Sequence, residues 1–142
     1  MVGGEEAVTE GFNFPKAPMV PVSWGELIDK ITILEIKSTI LQDRAAVGNV
    51  ANELSYLSLA FEAVSSYSEV QLLKSRLASI NRSLWDVEDE IRMCESQSDF
   101  GENFTKLARS VYMLNDERAG VKREINLFLG SELLEEKCYG QR

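Results

Sequence analysis

Two sets of carboxylates in this sequence have spacing suited to holding a metal ion. Glu26 and Asp29 stand three positions apart, which places both on one face of a helix. A second acidic set follows at Asp86, Asp89 and Glu90. All-helical nucleoside triphosphate pyrophosphohydrolases gather carboxylates from two helices around Mg²⁺. These five residues therefore define one hypothesis, a Mg²⁺-dependent nucleotide phosphohydrolase.

Most other catalytic chemistry is excluded by composition. The 142 residues contain no histidine, which removes Ser-His-Asp and Cys-His nucleophiles and every imidazole metal site. No glycine-rich phosphate loop is present, nor the doubled glutamate that precedes the ExxD motif of the pyrophosphohydrolases. A noncatalytic protein without a cofactor is therefore the leading expectation, and Mg²⁺ belongs only to the enzymatic alternative.

The charge balance bears on the class of partner. Lys and Arg total 15 and Asp and Glu total 23, so the net charge is −8. Such a chain is repelled by nucleic acid and by anionic membranes, so we expect neither, and a protein partner is favoured. Cys94 and Cys138 form no CxxC motif, and no apolar run approaches the length of a membrane span. We expect two free thiols and a cytoplasmic location.

Four stretches with helical periodicity make up the middle of the chain. The first begins with Ser23-Trp24-Gly25-Glu26, a capping box that predicts a helix starting at Trp24. Heptad-spaced apolar residues continue over 47–64, 70–94 and 104–128, and Gly130 closes the last stretch. The pattern predicts an all-α protein, an antiparallel, coiled-coil-like four-helix bundle.

The predicted organisation is one domain with two tails. Residues 1–22 contain all three prolines and few large apolar groups, which predicts a flexible arm. Residues 23–130 form the bundle, and residues 131–142 form a C-terminal tail. The short polar turn at 96–101 predicts that the last two helices form a long hairpin. Folding the chain near residue 99 pairs Asp89 with Arg109, and Arg82 with Asp116.

Two charged residues interrupt apolar helix faces. Glu35 falls within the apolar face of the first predicted helix, and Arg118 takes a seam position in the fourth. Each would be costly to bury alone, so we predict that they form a buried ion pair. A ligand-binding or catalytic role for the two residues is the alternative.

The first predicted helix is apolar on two sides. Trp24 and Ile28 belong to one face, and Ile33, Ile36 and Ile40 form a second stripe roughly opposite, at 100° per residue. This helix is expected either at the centre of the bundle or in a dimer interface, which favours a homo-oligomer. Aromatic residues flanked by charges also suit partner binding, and the candidates are Trp85, Trp24 and Tyr112.

Several segments together resemble a known family. They are the run from Pro21 to Lys37, the run from Leu84 to Arg92, the run from Leu107 to Tyr112, and the run from Leu129 to Leu133 followed by Glu135-Glu136-Lys137. In this order they resemble the bacterial and phage family catalogued as domain of unknown function 6165, over about residues 20 to 139. The resemblance implies no catalytic residue, and it suggests an accessory role in glycan biosynthesis. The leading expectation is a noncatalytic assembly or partner-binding protein.

Overall fold

The computed structural model describes residues 13–138 and contains four helices. These are α1 (Trp24–Ile40), α2 (Arg44–Phe61), α3 (Ser68–Ser96) and α4 (Glu102–Leu129). No strand occurs within the described range, so the predicted all-α class is confirmed. None of these four helices is long and apolar enough to cross a membrane. Residues 1–12 of the predicted arm and 139–142 of the predicted tail lie outside the described residues.

Capping residues set where the helices begin and end. The Ser23 hydroxyl accepts a hydrogen bond from the Glu26 amide at 3.1 Å, which confirms the predicted start of α1. The Glu26 carboxylate does not complete the capping box, because it binds Lys122 of α4 instead. Gly130 ends α4 at φ +64°, a left-handed conformation that glycine adopts without steric cost, as predicted.

The second helix starts earlier than its apolar pattern indicates. The Asp43 carboxylate accepts from the Ala46 amide at 2.9 Å, so α2 begins at Arg44 and continues through Gly48. An N-cap aspartate satisfies an amide that would otherwise lack a partner, which offsets the weak helix propensity of the glycine.

Helices α3 and α4 lie side by side as a hairpin. The Arg76 guanidinium meets the Glu124 carboxylate at 2.9 Å near one end, and the Asn103 amide meets the Cys94 sulfur at 3.8 Å near the other. Residue numbers therefore rise in opposite directions along the two helices. The antiparallel arrangement of all four helices stays a prediction.

The ion pairs predicted for this hairpin do not form. Arg82 pairs with Asp86, one turn away on its own helix, at 3.4 Å. Asp116 pairs with Lys137 of the C-terminal segment at 2.6 Å. Asp89 and Arg109 are both exposed and have no ion pair within the described residues. The apolar seam sets which faces of α3 and α4 meet, but exposed charges outside it pair with whatever lies nearest.

Helix α1 occupies the centre of the fold. It packs against each of the other three helices, whereas α2 packs against α1 alone. Ile28 of α1 is completely buried and joins a core cluster with residues of α3 and α4 and of the segment before α3, namely Val64, Val70, Leu73, Leu77, Val121 and Ile125. Of the two positions expected for the first helix, the centre of the bundle or a dimer interface, the central one is observed within the single chain.

A glycine allows the start of α1 to approach α4 closely. A Cβ atom on Gly25 would lie 2.5 Å from the Lys122 carbonyl oxygen and 2.9 Å from the Asn126 side-chain oxygen. Only a residue without a side chain fits between these atoms. The approach brings the polar residues of α1 against the middle of α4, where the candidate site lies.

Candidate functional site

A buried polar network joins three helices. The Asp29 carboxylate of α1 is completely buried and accepts from Arg118 of α4 at both oxygens, with the Nε contact at 2.9 Å. The Asn81 amide of α3 donates to Asp29 Oδ1 and to the Thr32 hydroxyl, both at 2.8 Å. The Thr32 hydroxyl donates to the Asp29 carbonyl oxygen at 2.7 Å. The buried charge is thus paired and its oxygens are hydrogen-bonded, as burial of a charge requires.

The predicted ion pair between Glu35 and Arg118 is wrong. Glu35 binds Lys74 of α3 at 3.0 Å, and its side chain is 45% exposed. Arg118 reaches Asp29, which lies on the side of α1 that faces α4. Burial of Arg118 was predictable from its seam position, but its partner depends on how α1 is rotated in the bundle. The sequence signal for Asp29 is its place within the second apolar stripe of α1, where at 100° per residue it lies between Ile36 and Ile40.

A second partly buried cation lies one turn further along α4. The Lys122 side chain is 13% exposed, and its Nζ donates to Glu26 at 2.7 Å and to Glu135 at 3.1 Å. Burial acts to lower the pKa of Lys122, but hydrogen bonds to Glu26 and Glu135 outweigh it, so the pKa is raised. Burial likewise acts to raise the pKa of Glu26, yet its hydrogen bond with Lys122 prevails and the pKa is lowered. Both groups are held in their charged forms.

The start of α1 is tied to the end of α4. The Trp24 amide donates to the Ser131 hydroxyl at 3.0 Å, and the Gly25 amide donates to the Asn126 side-chain oxygen at 2.6 Å. The Ser131 hydroxyl in turn donates to the same Asn126 oxygen at 3.2 Å. Amides in the first turn of a helix have no partner within the helix, so these two side chains satisfy them from outside.

The segment 131–138, here called the C-terminal strap, runs back along α4. Beyond the bond from Lys122 to Glu135, Glu136 pairs with Arg123 at 3.4 Å. Lys137 pairs with Asp116 and also donates to the Asn115 carbonyl oxygen at 3.4 Å. The described part of the predicted tail is therefore attached to the bundle by ion pairs.

An open cleft of about 650 Å³ is lined by α4 and by the strap. Its α4 wall contains three cations, one carboxylate, two amides and three apolar or aromatic groups: Arg118, Lys122, Arg123, Asp116, Asn115, Asn126, Val111, Ala119 and Tyr112. The cations, next to apolar groups, suit binding of an anionic group flanked by apolar surface. Among the cations and aromatic groups, the sequence pattern singled out only Arg118 and Tyr112. Lys122 and Arg123 were missed because a basic residue on an otherwise charged helix carries no signal of its own.

The carboxylates proposed to bind Mg²⁺ are not brought together. Asp29 and Glu26 are each bound by a cation of α4, and Asp86 is bound by Arg82. Within residues 13–138, no group of three or more Asp, Glu, Cys or His residues could hold a metal ion. The predicted site at Glu26, Asp29, Asp86, Asp89 and Glu90 is therefore wrong, because its α1 members face α4 and its α3 members are exposed.

The aromatic candidates for partner binding have different surroundings. Trp24 is partly buried and packs against the core cluster, which gives it a structural role. Trp85 is partly buried on α3. Tyr112 is 54% exposed and lines the cleft, so it is the aromatic residue of the three that is placed to meet a ligand there.

A second surface of interest covers α2. Of its 18 residues only Val50 is buried, and only Arg44 and Glu53 are charged. Tyr56 and Leu59 are 66% and 67% exposed. We call the outer side of this helix, around Tyr56 and Leu59, the α2 surface. The second apolar stripe of α1 is also only partly covered, at Ile33, Ile36 and Ile40.

Comparison with known proteins places the chain in a family. A family model described as a family of unknown function (DUF6165) matches residues 19–142. No curated protein and no solved structure matches the chain.

Proposed function

The chain belongs to the DUF6165 family, and we propose that it is a noncatalytic assembly protein that associates with a second copy of itself through the α2 surface. The observation that carries this proposal is the exposure of α2, an 18-residue helix with a single buried residue and two charged ones. A helix in water is normally stabilised by packing of an apolar face rather than by its own propensity. A partner on the α2 surface would add to the packing that α1 already supplies on the other side of this helix.

Local charge does not oppose a second copy as that partner at the α2 surface. Two copies that each carry a net charge of −8 repel one another over most of their surfaces. The α2 surface is an exception, because the two charges of the helix, Arg44 and Glu53, cancel. Two such helices approach without charge repulsion, and twofold symmetry uses every contact twice.

Burial of apolar side chains in such a contact would contribute substantially to the free energy of association. Complete burial of a large apolar side chain is worth about 1.5 to 3 kcal/mol. Tyr56 and Leu59 from each copy would therefore offset much of the cost of association, estimated at about 4 to 15 kcal/mol. We expect a dimer of moderate affinity. The accessory role in glycan biosynthesis stays a prediction.

Light scattering over a range of protein concentrations tests the proposal. The unmodified protein should be dimeric at high concentration, and Leu59→Glu should make it monomeric without changing its helical circular dichroism. Leu127→Glu is the matched control, because Leu127 is 61% exposed on α4 and lies outside the α2 surface. A monomer at every concentration would refute self-association, and a Leu127→Glu monomer would place the interface elsewhere.

A further inference from the structure

The strap covers cations that the rest of the fold already holds in place. Arg118 is fixed by Asp29 and Lys122 by Glu26, both residues of α1. Their side chains are 29% and 13% exposed with the strap in place, and their bonds to α1 do not depend on the strap. Arg123, on the next position of the helix, adds a third cation that is 49% exposed and pairs with Glu136 of the strap. Because Arg118 and Lys122 are already ordered, they can bind an anion without first paying the entropy of ordering long side chains.

The strap itself is held less firmly than the cations it covers. Its glutamates Glu135 and Glu136 are 57% and 76% exposed in their side chains, and ion pairs at such exposure contribute little. Residues 132–138 are all exposed and form no helix or strand. The strap also leaves the cleft of about 650 Å³ unfilled. Its release would therefore expose an intact site at small cost.

We propose that the cleft on α4 is a binding site for an acidic peptide segment with two adjacent carboxylate side chains, and that Glu135 and Glu136 occupy this site as an internal competitor. Adjacent glutamates of the strap meet the adjacent cations Lys122 and Arg123. An incoming segment with the same pair of acids would make the same contacts. Binding would open the strap, so the protein would respond to its partner by releasing its own C-terminal segment.

The shape of the site favours a peptide over a small anion. The strap residues that line the cleft belong to a segment without helix or strand. Within this segment Glu136 pairs with Arg123, and Lys137 pairs with Asp116 about two helical turns away. The exposed ring of Tyr112 and the side chains of Val111 and Ala119 extend the wall beyond the cations. A single phosphate would contact only the cations and leave this wall unused.

The experiment measures binding of a strap peptide to the full-length protein. The probe is a fluorescent peptide with the sequence of residues 131–138 and serine in place of Cys138, followed by fluorescence anisotropy. The Glu135→Gln/Glu136→Gln protein should bind it at least about tenfold more tightly than the unmodified protein, because the internal competitor is removed. The variant Glu132→Gln is the control, since this exposed glutamate of the strap has no ion pair within the described residues.

One further protein variant and one further peptide test whether the two carboxylates are what the cleft recognises. Arg123→Gln in the double-variant background should weaken binding, and this side chain is 49% exposed, so its loss leaves the core intact. A peptide with glutamine at both positions 135 and 136 should not bind. The proposal is overturned if no peptide binds, if the glutamine peptide binds equally well, if the unmodified and double-variant proteins bind with the same affinity, or if millimolar inorganic phosphate displaces the peptide at constant ionic strength.

Discussion

Asp29 and Arg118 form a two-point ion pair in which the carboxylate is completely buried and the arginine side chain remains 29% exposed. Nε and one terminal nitrogen of the guanidinium meet the two carboxylate oxygens, a planar arrangement that lysine could not reproduce. The hydrogen bond to Asp29 raises the pKa of Arg118, against the effect of burial. The pair fixes how α1 and α4 are rotated against each other. The Arg118 side chain also lines the cleft.

Removal of either member should leave the other without its partner in the core. We expect Arg118→Met and Asp29→Asn each to lower the free energy of unfolding by about 3 to 5 kcal/mol. The double variant should lose clearly less than the sum of the two, because a neutral pair has no unpaired charge. Urea unfolding of the four proteins gives the coupling energy.

The matched control for this cycle is Glu35, which was predicted to be the partner of Arg118. Its side chain is 45% exposed beside Lys74, so Glu35→Gln should cost less than about 1 kcal/mol. Additive losses for Asp29 and Arg118, or a loss at Glu35 as large as theirs, would contradict the observed pairing.

Gly25 should not tolerate even a methyl group. An added Cβ would lie 2.5 Å from the Lys122 carbonyl oxygen, which is backbone and cannot turn aside. We expect Gly25→Ala to destabilise the protein by about 1 to 3 kcal/mol, the usual cost of overpacking. Gly120→Ala is the control, since nothing lies within 4 Å of its Cβ position and alanine favours a helix by about 1 kcal/mol. Thermal unfolding should move in opposite directions for the two variants.

The pair of Glu26 and Lys122 should make stability depend on pH. The folded state lowers the pKa of Glu26, so this group stabilises the fold above its ordinary value of 4.5, and the effect is lost as the pH falls through the folded pKa. The raised pKa of Lys122 has the opposite sign, and its contribution is lost only when the pH rises through the folded value. Glu26→Gln should therefore be less stable than the unmodified protein at neutral pH, and the difference should shrink below pH 4.5.

Urea unfolding at neutral and at acidic pH measures this difference. Glu69→Gln controls for loss of a carboxylate in the first turn of a helix, because Glu69 occupies that position in α3 and has no ion pair within the described residues. A difference between Glu26→Gln and the unmodified protein that stays constant from neutral to acidic pH would show that the pair does not act through its charge.

The two thiols should react at very different rates. Cys138 is exposed on the strap, whereas Cys94 is buried near the closed end of the hairpin, at 6% exposure. A thiol reagent should modify one cysteine of the native protein rapidly and the second only after unfolding. Cys138→Ser should abolish the rapid phase, and a rapid phase that survives this substitution would mean that Cys94 is accessible.

Local sequence signals were sufficient to predict the helical elements and several of their ends. Ser23 caps α1 and Gly130 ends α4 as predicted, because a capping hydroxyl and a left-handed glycine act through atoms only a few residues away. The short polar segment 96–101 predicted the turn between α3 and α4. The two apolar sides of α1 predicted either a central place in the bundle, which is observed, or a dimer interface. The free state of Cys94 and Cys138 agrees with their spacing.

Partners across helices were decided by the tertiary structure. The sequence marked Glu35 and Arg118 as charges on apolar faces, but the rotation of α1 turns Asp29 toward α4 and Glu35 toward Lys74. That rotation depends on the close approach at Gly25 and on side-chain packing across three helices, which no periodicity within one helix contains. The strap depends on the same geometry, since Glu135 finds Lys122 only once α4 is in place. A sequence pattern fixes which face of a helix is apolar, whereas the pairing of charges depends on distances of a few ångströms between elements far apart in the chain.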